Sequence, residues 1–577
     1  MTTTILTALV LSLQAQSAPV PKATSSGIHA QPLAQSADLF DELDLRYHRG
    51  EIDVHRLHLL RVTALRFPER LPRDLMALPI ARARRSGTRY LAEAFRHVAR
   101  TGDFGGELHE LLQPPDNLTY VIESTAWPIS VSYSSTAQAS YAQSVLTSAE
   151  QAYSVQIEDF GFPLPAIEPG YSPYRFYVES AGQGVAGYTA PYDLDPSVPH
   201  ASCYSYIVID PNLGGGVGTT VAHEINHSMQ ATLDCIELTT FWENTAVFIE
   251  ALTDPSYQGE MYVFVPYFQA TPWRPLDYFA SGSGYPYGGV LWLYYLADRL
   301  APEDGGIFAR EIWEACMQTG AYDNEPDYFD AIETVAAARG STVTDIETLY
   351  EDFAEARYFV GANDDGLHMT GAADFYSSEP AISRSHSLED LPVMEGEPPA
   401  AERPAPYGSS FVEVDLGGDA TRPMTVSMDG DTATRWAARA LLLGGGKATE
   451  SHPLAMNEDR TRGSVLVDPA GFDRLVLVVA NLGSPTHDPD DQIWTGASYY
   501  YNLEPVRDPP VIRAIYPGAV LRGQQNLHMR LEGEGFVWGD LFRLQFSDPA
   551  LTIVSVDTLS ASSVSFTLTV PGMTMLG

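Results

Sequence analysis

Lysine is almost missing from this chain: Lys22 and Lys447 are the only two, in 577 residues with a formal net charge of -40. A surface this acidic repels nucleic acid and anionic lipid, so neither is expected as a partner. No run of 18 or more apolar residues occurs beyond the N-terminus, which argues against membrane insertion. Cysteine is scarce too. Three of them (Cys203, Cys235 and Cys316) are too few for a disulfide scaffold, and an odd count leaves one unpaired. Cys203 and Cys235 flank the segment 223–227 and could be bridged across it; three buried thiols are the equal alternative.

The chain is too long for a single core, and its apolar fraction of 45% is that of a globular protein of three or four domains. Residues 1–18 read as a signal peptide: a short apolar stretch over Thr2–Leu13, then small residues around Ala15, Ser17 and Ala18, without the usual basic start. Export is therefore expected. Residues 38–110 read as a helical N-terminal region. Thirteen arginines stand against eight acids over 41–100, so this basic segment could dock on the acidic remainder as a prosegment. It contains Arg82-Ala83-Arg84-Arg85, a candidate processing site or simply an arginine-rich helix surface.

From 117 to 376 the pattern is mixed. Strands are predicted at Leu118–Glu123 and in YRFYVES, GVAGYTA and SYIVIDP, and a helix over Thr136–Phe160. Residues 213–218 (LGGGVG) lack the Lys-Ser/Thr of a phosphate loop and read as a flexible turn before a helix capped near Thr219. Residues 377–406, rich in Pro, Glu and Ser, read as a linker. Short runs over 407–506 predict a β-sandwich, and about five strands over 509–577 predict an Ig-like domain that is incomplete.

The chemistry concentrates at His223-Glu224-Ile225-Asn226-His227. Histidines four apart on a helix lie one above the other, so both imidazoles can reach one metal ion. The glutamate after the first histidine lies beside that ion, where it can take a proton from water. A catalytic zinc needs a third protein ligand and an open position. Glu237, Glu243 and Glu250 follow within reach, and the last two share a face of the next predicted helix. Fifteen residues between His227 and Glu243 suffice for a helix to end, turn and return, so Glu243 is the first choice and Glu250 the second. Gly184–Thr189 offers a sheet edge to which a substrate peptide could add as a strand.

This order of HExxH followed by Phe241-Trp242-Glu243-Asn244-Thr245-Ala246 resembles the gluzincin clan of zinc peptidases. It is most similar to secreted bacterial metalloproteases whose second motif reads Trp-x-x-Glu-Gly-Thr-Ala. The resemblance extends over roughly 38–376 and takes in LPRDL, SGT, the GYT strand and DFAEARYFVG. Asn244 stands where that family has glycine, and Trp242 directly precedes the glutamate, which keeps Glu250 open as an alternative.

The resemblance implies one catalytic Zn2+ held by His223, His227 and Glu243, with Glu224 as general base. It also implies a tyrosine facing the oxyanion, Tyr287 first and Tyr285 second. The C-terminal segment resembles an IPT/TIG domain through Pro510-Val511-Ile512, Tyr516-Pro517, Gly533-Glu534-Gly535-Phe536 and Gly539. The expected architecture is thus multidomain: an α+β, zincin-like catalytic domain with a helical N-terminal region, then β-sandwich and Ig-like domains.

The expected activity is endopeptidase action by a monomer on protein or peptide. Alternatives are an inactive adhesion or carbohydrate-binding protein, and an aminopeptidase, for which no amine-anchoring Gly-x-Met-Glu-Asn strand is found. Acidic turns at Asp429–Asp431 and Asp488–Asp491 could hold structural Ca2+ or stand as solvated turns.

Overall fold

A computed structural model describes residues 38–78, 84–115, 118–182, 184–279, 284–317, 324–375, 377–506, 511–518, 523, 525–534, 552–560 and 562–570. The expected signal peptide 1–18, Arg82-Ala83 of the arginine motif, Pro509-Pro510 and Gly535–Gly539 lie outside the described residues. The chain is a multidomain mixture of helices and several β-sheets. No helix among the described residues is long and apolar enough to cross a membrane.

The sheet that positions the site has six strands: β1 (Arg84–Ser86), β2 (Tyr120–Glu123), β3 (Ile129–Tyr133), β4 (Tyr174–Val178), β5 (Val185–Leu194) and β6 (Cys203–Ile209), in the order β1-β5-β6-β4-β3-β2. β3, β4 and β6 are parallel, β5 is antiparallel to β6, and β1 is parallel to β5. All seven residues of β6 are buried. That explains why SYIVIDP alternates so poorly: a strand covered on both faces reads as a continuous apolar run.

After a 3-10 turn at Gly214–Gly216, the helix Val217–Leu233 returns against β5 and β6. It is flanked by helices Ala139–Tyr153 and Thr239–Thr253. Its start corrects the expected cap. Val217 is its first residue, and Thr219 lies in the first turn with its hydroxyl donating to the Gly216 carbonyl at 3.0 Å. The single helix expected over 136–160 is a helix ending at Tyr153, continued by a π-helical turn over Ser154–Asp159. The helix Gln258–Gln269 was not anticipated, because Pro266 inside it reads as a breaker.

The N-terminal region contains the helices Leu39–His48, Val54–Arg66, Thr88–Thr101 and Glu107–Leu112. It is not wholly helical, since β1 lies within it and joins the central sheet. Its contact with the body is largely apolar. Phe40, Leu60 and Phe95 belong to the same buried core as Val221, Ile225 and Trp313. Arg61 pairs within the region, with Asp44 at 2.5 Å and Glu93 at 2.8 Å. Arg96 and Arg100 reach outward, to the Glu237 carbonyl and, at 3.4 Å, to Asp490.

Cys203 and Cys235 form a disulfide with Cα atoms 5.9 Å apart, tying the start of β6 to the loop behind the motif helix, and Cys316 is a buried free thiol. The bridge closes a loop with a sequence separation of 32. Chain entropy at that length gives a stabilisation of about 3–4 kcal/mol. Replacing both cysteines by serine is therefore expected to lower the urea-unfolding midpoint clearly, and an unchanged midpoint would contradict the entropic role.

Residues 377–406 are not a linker. Arg384–Ser387 and Val393–Gly396 within them are edge strands of two five-stranded sheets that form a β-sandwich. They escape a composition-based reading because both are only four residues long and half or more exposed, and Arg384–Ser387 is polar throughout. One sheet of the sandwich faces two cores at once. Leu475, Leu477 and Val479 point into the sandwich, while Val476, Val478 and Ala480 join the core of the body. Arg439 and Arg460 strengthen this junction, reaching Asp352 and Glu351 of helix Ile346–Ala356 at 2.8 Å each. The last sheet contains Val511–Tyr516, Leu527–Glu534, Ser563–Thr569 and Thr552–Ser560, in that order. The fifth expected run, 541–548, lies outside the described residues.

Candidate metal centre

The motif helix is buried almost all round, from Thr220 through Ala231 without a break. Such a helix is ordinarily apolar, yet this one carries His223, Glu224, Asn226, His227, Ser228 and Gln230, each 0% exposed. Buried polar groups are costly unless paired, so the pairing pattern shows what the site can do.

Gln230 determines the state of His227. Its amide nitrogen donates to the Trp242 carbonyl at 3.2 Å and to Asn226 Oδ1 at 2.8 Å. The carbonyl can only accept, so Gln230 Oε1 must face His227 Nδ1, 2.7 Å away. His227 therefore carries its proton on Nδ1 and presents a lone pair at Nε2. His223 Nδ1 lies 3.2 Å from Glu250 Oε2, which by the same logic leaves a lone pair on His223 Nε2.

The two Nε2 atoms are 3.0 Å apart, and Glu243 Oε2 lies 3.2 Å from the first and 3.5 Å from the second. Three acceptors thus converge with no proton between them, and Glu243 Oε1 is buried without a hydrogen-bond partner. Such a group fits a cation. Among the described residues His223, His227 and Glu243 are the one such group, with ligand atoms within 4.8 Å of one another.

The other candidates fall elsewhere. Glu250 faces the outer nitrogen of His223, the place of a carboxylate that orients a ligand. Glu237 accepts from the Leu238 N–H at 2.6 Å and from Asn324 at 3.3 Å, apart from the histidines. Burial and then Asp327 and Asp234 push its carboxyl well up. Tyr287 is buried beside the site, its ring 6.1 Å from that of His223 and stacked on Phe264. Tyr285 is turned away, with its hydroxyl 2.9 Å from the carbonyls of Arg274 and Pro275. The acidic turns form no such cluster among the described residues: Asp429 faces Arg462 at 3.4 Å, and Asp488 caps the Asp490 N–H at 2.7 Å.

Glu224 has partners that spacing along the chain did not suggest. Its Oε2 accepts from the Thr88 hydroxyl at 2.8 Å and lies 2.9 Å from that of Thr189, while its Oε1 has no hydrogen-bond partner. Gln156, on the π-helical turn, extends the buried network by accepting from Asn226 at 3.3 Å and donating to the Ala222 carbonyl at 2.9 Å. Asn226 and Gln230, four apart on the motif helix, were the available signal for this network. Thr88 and Thr189 lie in the SGT and GYT segments that carry the resemblance, but nothing in the sequence pointed them at Glu224, and Gln156 had no signal.

No family model matches the chain, and no curated protein matches it. Among solved structures it is similar to the M60 catalytic domain with the CBM51-1 and CBM51-2 domains of ZmpB from Clostridium perfringens. That match has 10% identity and a TM-score of 0.24, covering 81% of this chain and 72% of that one. A second likeness, to the family GH115 4-O-methyl-alpha-glucuronidase BtGH115A, has 10% identity and a TM-score of 0.13, covering 51% and 45%. Neither is close enough to bear on the site, which stands on its own side-chain geometry.

Proposed function

We propose that this chain is a secreted zinc-dependent metallopeptidase of gluzincin type, with a zincin-like catalytic unit over about 117–376. The observation that carries the reading is the convergence of two imidazole lone pairs and the Glu243 carboxylate at a fully buried point. A zinc ion there would polarise a scissile carbonyl and acidify a bound water.

The chain's own residues supply the rest. Glu250 and Gln230 hold the imidazoles in the tautomers that ligate. Glu224, one helical position from His223, takes the proton of the attacking water and returns it to the leaving amine. Tyr287, beside His223, is the candidate donor to the developing oxyanion. Export is supported by the Cys203–Cys235 disulfide, which suits an oxidising compartment.

The test is metal analysis of the purified full chain with casein as substrate, before and after chelation. About one zinc per chain is expected, with hydrolysis lost on chelation and restored by added zinc. A chain without zinc, or hydrolysis indifferent to chelation, would overturn the reading.

A further inference from the structure

His223, Glu224, His227 and Glu243 are each 0% exposed, so a peptide cannot reach them in this conformation. What covers them on one side comes from the N-terminal region. β1 lies along the outer edge of β5, with Arg84 opposite Val185 and Ser86 opposite Gly187. The Gly87 N–H continues the pairing by donating to the Gly187 carbonyl at 3.0 Å. Without β1, β5 would be an open edge directly beside the motif helix, the kind of edge to which extended peptides add.

The following residue connects that edge to the candidate general base. The Thr88 hydroxyl accepts from the Thr189 N–H at 2.8 Å and from the Ser86 hydroxyl at 2.9 Å, and it donates to Glu224 Oε2 at 2.8 Å. A backbone N–H of the edge and the carboxylate of the base are therefore both engaged by one side chain. The group a general base must contact is the proton of its water, at this same hydrogen-bonding distance. The approach is close at Gly87, where a Cβ would meet Tyr188 Cβ at 3.3 Å. The segment offers no extended bond beyond this point, because the chain turns into a helix at Thr88. Arg89, buried on that first turn, has Tyr90, Tyr287 and Glu243 among its electrostatic neighbours and lies over the Phe279 ring at 4.1 Å.

We propose that β5 is the peptide-binding edge of the enzyme and that residues 84–88 occupy it from within the chain, holding the enzyme latent until they are displaced. The inference rests on the metallopeptidase reading. It differs from a charge-driven prosegment, because the closure is made by strand pairing and one threonine hydroxyl.

The test uses the full chain with Thr88→Val, which keeps the shape of the side chain and removes the hydroxyl. A displaced latch leaves Glu224 to be hydrated, so loss of a hydrogen bond to its carboxylate favours opening by about tenfold or more. Zinc content, thermal stability, the rate of zinc removal by a chelator and cleavage of a quenched peptide are measured together. The variant is expected to keep one zinc and its fold, to lose zinc to the chelator about tenfold faster, and to cleave faster than wild type. Ser86→Ala, which removes the two hydrogen bonds of the Ser86 hydroxyl, both of them with Thr88, repeats the test if Thr88→Val folds poorly. A zinc-loaded variant with unchanged chelation and cleavage, or with reduced cleavage, overturns the latch alone. A wild-type chain that binds no zinc overturns the reading beneath it as well.

Discussion

Glu224→Gln is expected to reduce hydrolysis by about 10³-fold, within the range general bases contribute, while zinc content stays at that of wild type. The substitution keeps the volume of the side chain and an oxygen for Thr88 and Thr189 to contact, so their hydrogen bonds persist. What it removes is the capacity to take a proton. The new amide group falls where Glu224 Oε1 now has no hydrogen-bond partner, which costs about 1–3 kcal/mol of stability but displaces no ligand. The measurement is initial rate on casein or a short peptide beside elemental zinc analysis. A fall below tenfold with zinc retained would mean that some other group accepts the proton.

The second large effect separates the two glutamates that spacing left open. Glu243→Gln is expected to weaken zinc binding by more than about 100-fold, because removing an outer carboxylate alone costs about 10–100-fold. Glu250→Gln should fall within that smaller range, keeping zinc at high concentration and losing it on dilution. The reason is positional: Glu243 Oε2 faces the inner nitrogens of both histidines, whereas Glu250 Oε2 faces the outer nitrogen of His223. Competition against a chelator of known affinity measures both. Equal losses, or the larger loss at Glu250, would exchange the roles.

Much of the architecture was readable from local pattern. The seven-residue β6 follows from a continuous apolar run, and the helix bearing HEINH and the returning helix with Glu243 from the pattern over seventeen and fifteen residues. The two sandwich edge strands at 384–387 and 393–396 did not, because four residues lying largely at the surface are too few to show an alternation. β1 was hidden in the same way: three residues within a basic helical stretch are too few to show a period of two. Its partner β5 is about a hundred residues away.

The candidate centre divides in the same way. Two histidines on one helix face and a glutamate on the next helix were determined by the sequence itself, because a helix repeats every 3.6 residues and a short turn returns it antiparallel. The tertiary structure alone decided that the Trp242 carbonyl orients Gln230 and so the proton of His227, and that Glu250 takes the outer side of His223. It alone brought Thr88 to Glu224, 136 positions along the chain. Local spacing encodes which residues share a face, but a tautomer and a covered edge depend on which distant groups packing brings within hydrogen-bond reach.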